Sequence, residues 1–423
     1  MKFALKYRDL TQIFIYKEKF VILANRKTNM YKMKLYNFDE IIERRGTSCV
    51  KYDGLQENFG NKDLIPLWVA DMDFATPDFI IDALKKRCEH PIFGYTLASD
   101  EYYNCIIDWV NYKHNWKIKK EWLSYIPGIV KGIGFVVQCF TKPGDKVIIQ
   151  PPVYHPFRIV PTEMKREIVF NPLKEVNGTY EMDFDQLESI IDDKCKVLIL
   201  SNPHNPGGIV WGKDTLIKLA EICKRHNILV ISDEIHSELA FPQAKHHPFA
   251  SVSENAANCS ITFMAPSKTF NIAGIVSSYS IVPNEEIREK FYSYLESGEF
   301  NAGTIFAYEA TIAAYTYGAE WLQQLRMYIM ENIRIVDEYL KAHMPKIKVF
   351  QPQASFLIWL DCRDMNLSQE ELKDLFQNKA GLALNDGSIF GPGGEGHMRL
   401  NIGCPRATLV TALKALDKAV NGK

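Results

Sequence analysis

The chain has 423 residues, 47% of them hydrophobic and 24% charged, which is enough for two or three packed domains and excludes wholesale disorder. Lys and Arg number 50 against 51 Asp and Glu, so the net charge is −1, and a dedicated nucleic-acid binder with its basic excess is not expected. No apolar run approaches the roughly 18 residues of a membrane span. The nine Cys form no C-x-x-C pair, so a zinc ribbon and a disulfide framework lack support, and a reducing, cytoplasmic setting is expected.

Residues 1–32 stand apart, with eight Lys or Arg against only Asp9 and Glu18. Lys17, Glu18 and Lys19 interrupt the one apolar core that a signal peptide could use. The segment therefore reads as a basic extension, or as an upstream start with Met33 opening the functional chain. In the middle of the chain, four short apolar runs end in turn-forming residues. They are Lys146-Val-Ile-Ile149 before Gln150, Val197-Leu-Ile-Leu200 before Ser201, Ile228-Leu-Val-Ile231 before Ser232, and Ile261-Thr-Phe-Met264 before Ala265. Uninterrupted runs of this length suit strands covered on both faces. Between the second and third, Leu216, Leu219, Ala220 and Cys223 recur at helical spacing, with Asp214 where an N-cap should stand and His226-Asn227 closing the segment. Strand, helix, strand with buried faces is the pattern of a parallel α/β sheet, whose ligands sit beyond the carboxyl ends of the strands. Residues 306–343 are helix-rich and free of Pro, and a last strand-like run near 355–360 and an amphipathic stretch over 408–420 complete a smaller α/β unit.

The residues after those runs carry the chemistry. Asp233 could hold a proton on a cofactor nitrogen, or merely cap the next turn. Lys268 could be an attacking amine or an ordinary solvated lysine, and Arg399 a carboxylate fork or a plain edge-strand arginine. Asn205 alone reads as a turn residue. Amine, carboxylate and guanidinium together make up a pyridoxal-phosphate kit. Other features deflate: Gly391-Pro-Gly-Gly-Glu-Gly396 lacks the ending of a P-loop, and His246-His247 lacks ligand spacing and reads as surface histidine, so no metal site is expected.

Whole segments then match a family. Ser201-Asn-Pro-His-Asn-Pro-Gly-Gly208, Ser232-Asp-Glu-Ile-His236, Ser267-Lys-Thr-Phe-Asn271 and Arg399-Leu-Asn-Ile-Gly-Cys-Pro-Arg406 resemble those of the aspartate-aminotransferase-like fold, fold type I of the pyridoxal-phosphate enzymes. Trp68-Val-Ala-Asp-Met-Asp-Phe74, Phe93-Gly-Tyr-Thr96, Pro151-Pro-Val-Tyr-His-Pro-Phe157 and Phe390-Gly-Pro-Gly-Gly-Glu-Gly396 resemble its cystathionine β-lyase and C–S lyase branch. The resemblance runs from Met33 to the C-terminus. It implies an α/β fold with a large domain over 81–325, built on a mostly parallel sheet, and a smaller α/β domain from 33–80 and 326–423.

Residue by residue, the resemblance makes Lys268 the Schiff-base lysine and Asp233 the partner of the pyridine nitrogen. It gives Asn205 the ring hydroxyl, places His236 where aminotransferases often carry a Tyr for the same oxygen, and stacks Tyr154 on the ring. Gly128-Ile-Val-Lys131, opening a helical run from Gly132 to Phe140, would offer backbone N–H groups, Val130 and Lys131 among them, to the phosphate. Ser267 would add a hydroxyl, and Tyr95 would reach that phosphate from the other subunit of a homodimer. Arg399 would hold the substrate carboxylate, with the backbone at Ala70 closing over it. One position departs from the wider fold: Val276 stands where many aminotransferases carry a phosphate-binding Arg. The implied reaction is α,β-elimination on L-cystathionine or another cysteine S-conjugate. The alternatives are an aminotransferase on the same site, or a pyridoxal-binding regulator that contacts a transcription activator.

Overall fold

A computed structural model of the protein describes residues 34–422. The basic extension over 1–32 lies outside the described residues. Seven strands form the large sheet: β1 (Leu123–Ile126), β2 (Lys146–Ile149), β3 (Glu167–Phe170), β4 (Cys195–Ser201), β5 (Leu229–Asp233), β6 (Ser260–Met264) and β7 (Ser278–Ile281), in the order β1-β7-β6-β5-β4-β2-β3. All neighbours from β6 across to β3 are parallel, and β7 alone runs against both of its neighbours.

The reason those four apolar runs lack alternation is visible in the core. Ile148, Leu198, Leu200 and Val230 enter one buried cluster with Leu216, Leu219 and Cys223 of the helix Lys213–Arg225. Their neighbours Val147, Ile149, Val197, Ile199 and Ile231 point the other way, into a second cluster with Ile133, Val136 and Val137 of the helix Ile129–Phe140. Successive side chains leave opposite faces of a strand, so helices on both faces require apolar residues at every position. Sequence patterning misses β1, β3 and β7. Leu-Ser-Tyr-Ile and Ser-Tyr-Ser-Ile are fully buried although Ser and Tyr interrupt them, and β3 is an edge strand with partly exposed residues.

Two local expectations are corrected. Asp214 is not the N-cap: Gly212 holds that position, and Asp214 lies inside the first turn, where a carboxylate still faces the positive end of the helix. The helix expected from Gly132 begins at Ile129, directly after Gly128.

A second sheet, of β8 (Lys348–Phe350), β9 (Leu357–Asp361), β10 (Asn385–Asp386) and β11 (His397–Asn401), is antiparallel in the order β8-β9-β11-β10. Leu360 and Leu400 converge there with Val336 and Leu340 of the helix Ala319–His343 and with Leu409 and Leu413 of the helix Arg406–Asn421. Ile65 and Pro66 pair in parallel with Leu382 and Ala383, which draws the early chain onto this second sheet region. Residues 38–423 make one compact unit. We propose its division near 80/81 and 325/326, because all strands of the large sheet fall within 123–281 and those of the small sheet within 348–401.

Candidate active site

Parallel register lines up the strand ends: Ser201 stands beside Asp233, and Asp233 beside Phe263. Asp233 is the last residue of β5 and buried. Its Oδ1 accepts a hydrogen bond from the Ile235 N–H at 3.1 Å, so it does shape the next turn. Burial pushes its carboxyl up to about 7, against the opposing pull of that N–H and of Lys268. Lys268 follows β6 by four residues and is half-buried, with Nζ donating to the Ala70 carbonyl at 2.6 Å. Burial pulls its ammonium down to about 8; Asp71 and Asp233 oppose the shift, and Arg399 reinforces it. A lysine with this value loses its proton near neutrality, as a nucleophilic or basic amine must.

Arg399 lies on β11, an inner strand, which removes the plain edge-strand reading. Its cross-strand neighbour Asn385 accepts from Nη2 at 2.6 Å, the Trp68 carbonyl accepts from the same nitrogen at 3.1 Å, and Asn205 Oδ1 accepts from Nη1 at 3.1 Å. The guanidinium sits over the Phe390 ring, 5.0 Å from its centroid, and burial pulls it down to about 10. Nε is buried with no partner among the described residues. The structure thus joins Arg399 to Asn205, 194 residues away, in one group. Tyr154 adjoins them: its N–H donates to the Asn205 carbonyl at 3.1 Å. Burial raises its hydroxyl, with Arg399 and Asp233 acting in opposite directions.

At the other end, Gly128 precedes the helix Ile129–Phe140 with φ +106°, a backbone conformation suited to glycine. The N–H groups of Ile129, Val130 and Lys131 fall in the first turn, where no intrahelical acceptor exists. The Lys131 side chain itself is exposed. Val276 has φ +59°, unusual for a β-branched residue, and its carbonyl is held by the Tyr125 hydroxyl at 2.9 Å. A Cβ at Gly128 would lie 3.7 Å from Val276 Cγ1, so the valine borders this cradle without supplying charge. Ser267 is buried beside Lys268, and Tyr95 is fully exposed in the segment before the helix Asp100–His114.

His236 is buried, with Nδ1 at 3.2 Å from Ser355 Oγ, and burial, Lys268 and Arg399 pull it down to about 3. It is neutral across physiological pH. His246 corrects the surface expectation: it is buried, with Nε2 2.8 Å from Glu234 Oε2. Glu234 also accepts from Ser232 Oγ and the Phe249 N–H, each at 2.8 Å, and burial pushes it up to about 8. His246 goes inward because a buried carboxyl needs a partner.

Sequence reading passed over Asn385, Asn271 and Asn401. Two signals were available: Asn271 is three residues after Lys268, and Asn401 two after Arg399, on the same strand face. Asn385 had none, because only strand pairing brings it to Arg399.

A search against family models matches residues 62–416 to Aminotransferase class I and II. The chain is 44% identical to cystathionine beta-lyase PatB of Bacillus subtilis (strain 168), covering 91% of this chain and 100% of that one. It is 31% identical to protein MalY of Escherichia coli (strain K12), over 91% and 99% of the two chains. Among solved structures it resembles cystalysin from Treponema denticola, which contains pyridoxal 5'-phosphate, with a TM-score of 0.88, 35% identity, and coverage of 92% and 100%. With the fold, the strand-end residues and these matches in agreement, the chain belongs to the class I and II aminotransferase family.

Proposed function

We propose that this protein is a pyridoxal-phosphate-dependent C–S β-lyase that converts L-cystathionine, or a related cysteine S-conjugate, into a thiol, pyruvate and ammonia. The observation that carries the reading is the convergence of a half-buried, readily neutralised Lys268, a buried Asp233 and the Arg399–Asn205 pair at the strand ends. The match to a cystathionine beta-lyase along its whole length supports elimination over transamination.

The residues fit the cofactor. Asp233 is buried with one hydrogen bond and an elevated pKa, and a protonated pyridine nitrogen beside it would favour its charged form. The glycine-led helix start and the buried Ser267 offer uncommitted donors to a phosphate. Asn205 suits the ring hydroxyl, Tyr154 the ring face, and His236 is a neutral neighbour. When bound, pyridoxal phosphate supplies a carbonyl for the substrate's amino group and a ring that takes up the electrons of the broken Cα–H bond.

The chain's own groups do the rest. Arg399 holds the α-carboxylate through the two N–H donors it keeps free, Nε–H and the second Nη1–H. Lys268, once its amine is free, removes the Cα proton; Asp233 keeps the pyridine nitrogen protonated. The thiolate leaves from Cβ, and the remaining enamine hydrolyses to pyruvate and ammonia. We further propose a cytoplasmic homodimer in which Tyr95 reaches the partner's phosphate site, which accords with its full exposure in one chain. Among the described residues no helix is long and apolar enough to cross a membrane. The test is purified protein with L-cystathionine and no 2-oxo acid: free thiol and pyruvate appear in equal amounts. No thiol or pyruvate, but a new amino acid formed once a 2-oxo acid is added, would mean a transaminase.

A further inference from the structure

Residues 67–74, Leu-Trp-Val-Ala-Asp-Met-Asp-Phe, cross the site without forming a helix or strand. Carbonyls in such a segment have no ladder to join, and each needs a partner from elsewhere. Here almost every one is taken. Leu67 O accepts from the Asn401 N–H, Trp68 O from Arg399, Val69 O and Asp71 O from Asn401 Nδ2, and Ala70 O from Lys268. Met72 O accepts from Asn271 Nδ2 at 2.9 Å and from Arg44 Nη1 at 3.1 Å, and Phe74 O from Asn271 at 2.8 Å. Lysine and arginine of the site thus hang on the same strap, two residues apart.

What fixes the strap is a group of two cations and two carboxylates that the reaction does not use, Lys51 and Asp73 buried, Arg44 and Asp71 half-buried. Arg44 forks onto Asp71, with Nη2–Oδ2 at 2.7 Å and Nη1–Oδ1 at 3.2 Å, and reaches Asp73 Oδ1 at 2.6 Å. Lys51, fully buried, donates to Asp73 Oδ2 at 2.8 Å and to the Asp71 carbonyl at 3.3 Å. Trp68 Nε1 donates back to the Lys51 carbonyl at 2.9 Å, closing the loop on the far side. Such a group is costly to desolvate and is held together only while all four charges are present.

We propose that Arg44 and Lys51 are positioning residues: by clamping Asp71 and Asp73 they hold residues 67–74 so that the Ala70 and Trp68 carbonyls set Lys268 Nζ and Arg399 at a fixed spacing. The proposal deepens the lyase reading and rests on it for its kinetic consequence. Asp71 is shared between clamp and lysine, since its charge acts on Lys268 together with those of Asp233 and Arg399, and His236 lies in the same field. Arg44 partly cancels Asp71. Loss of the arginine therefore strengthens the negative field at Lys268, and loss of the carboxylate weakens it.

The test uses the cofactor-loaded enzyme and four variants: Arg44→Gln, Arg44→Lys, Asp71→Asn, and the charge-balanced Lys51→Met/Asp73→Asn, which leaves no ion unpaired. Amide hydrogen exchange in the peptide covering 67–74 accelerates about tenfold or more in Arg44→Gln and in the double variant, while β4 to β6 keep their protection. kcat/KM for L-cystathionine falls at least about tenfold. The pH midpoint of the bound cofactor's visible band moves up in Arg44→Gln and down in Asp71→Asn, and Arg44→Lys restores most of it. A purely structural role would not move the two midpoints in opposite directions. Exchange over 67–74 and midpoints unchanged from the parent in all variants that fold would overturn the proposal. A parent enzyme without a visible band or thiol release counts against the lyase reading instead, and exchange over 67–74 still decides the clamp.

Discussion

The two halves of the site are built by different means. At the carboxyl edge of the large sheet, backbone register places Asp233 beside Ser201 and sets the start of the turn to Lys268. On the opposite side, Arg399 and residues 67–74 are joined through side chains drawn from positions near 44, 271, 385 and 401. The strand-end half is rigid because covered apolar strands fix it; the other half is rigid only while its hydrogen bonds and ion pairs hold. Substitutions in the first half should abolish chemistry with little change in substrate grip, and those in the second should alter grip and alignment first.

The largest effect is expected for Lys268→Ala. The lysine is amine and base at once, and its removal should cost on the order of 10⁴-fold or more in kcat while circular dichroism stays unchanged. Pyruvate production near the parent rate would break the strand-end half of the comparison. Arg399→Lys comes next. Lysine keeps the charge but cannot fork onto a carboxylate, nor satisfy Asn205, Trp68 and Asn385 together. The apparent KM should rise about 10- to 100-fold, the worth of one or two charge-assisted hydrogen bonds, with the cofactor's absorbance retained. An unchanged KM would remove Arg399 as the carboxylate clamp.

The smallest effect concerns Glu234, which follows Asp233 in the chain and bonds Ser232 of β5 without belonging to the reacting groups. Its folded pKa near 8 stands above the ordinary 4.5, so the folded protein keeps a proton that the unfolded chain has lost, and stability falls as pH rises toward 8. His246, held down to about 3, acts in the opposite sense, but only below about 6.5. Between pH 6.5 and 8 the Glu234 slope remains, at most about 1.4 kcal/mol per pH unit. Glu234→Gln keeps the acceptor for Ser232 and Phe249 and removes the titration. Its melting temperature should therefore fall less than the parent's across that window; parallel curves would mean that Glu234 is already ionised in the fold.

What the sequence reveals follows the same division. Lys268, Asp233 and Asn205 are legible because each follows an apolar run that can only be a covered strand, and ligands gather where such strands end. The strands β1 and β7 are not, since Ser and Tyr break their apolar runs, and long-range hydrogen bonds satisfy those hydroxyls: Tyr125 to the Val276 carbonyl, Tyr279 with Tyr315, and Ser280 to Tyr292. Arg399 is found through a family motif, but its partners are not: Asn385 reaches it by strand pairing, Trp68 by a segment without regular structure. Lys51 is fully buried because Asp73, 22 residues on, folds back to meet it, and nothing in the spacing of the two marks that pairing. Long-range pairing of polar groups leaves no periodic trace in a sequence, whereas burial of a strand does.

The central claim is that Lys268 is the residue that takes the cofactor covalently. The most direct measurement is to reduce the pyridoxal-phosphate-loaded protein with borohydride, digest it and locate the pyridoxyl group by mass spectrometry. The account predicts a single modified lysine, Lys268, in the peptide containing Ser267-Lys-Thr-Phe-Asn271, and none in Lys268→Ala. A pyridoxyl group on Lys131, Lys51 or any other lysine, with Lys268 unmodified, would contradict it.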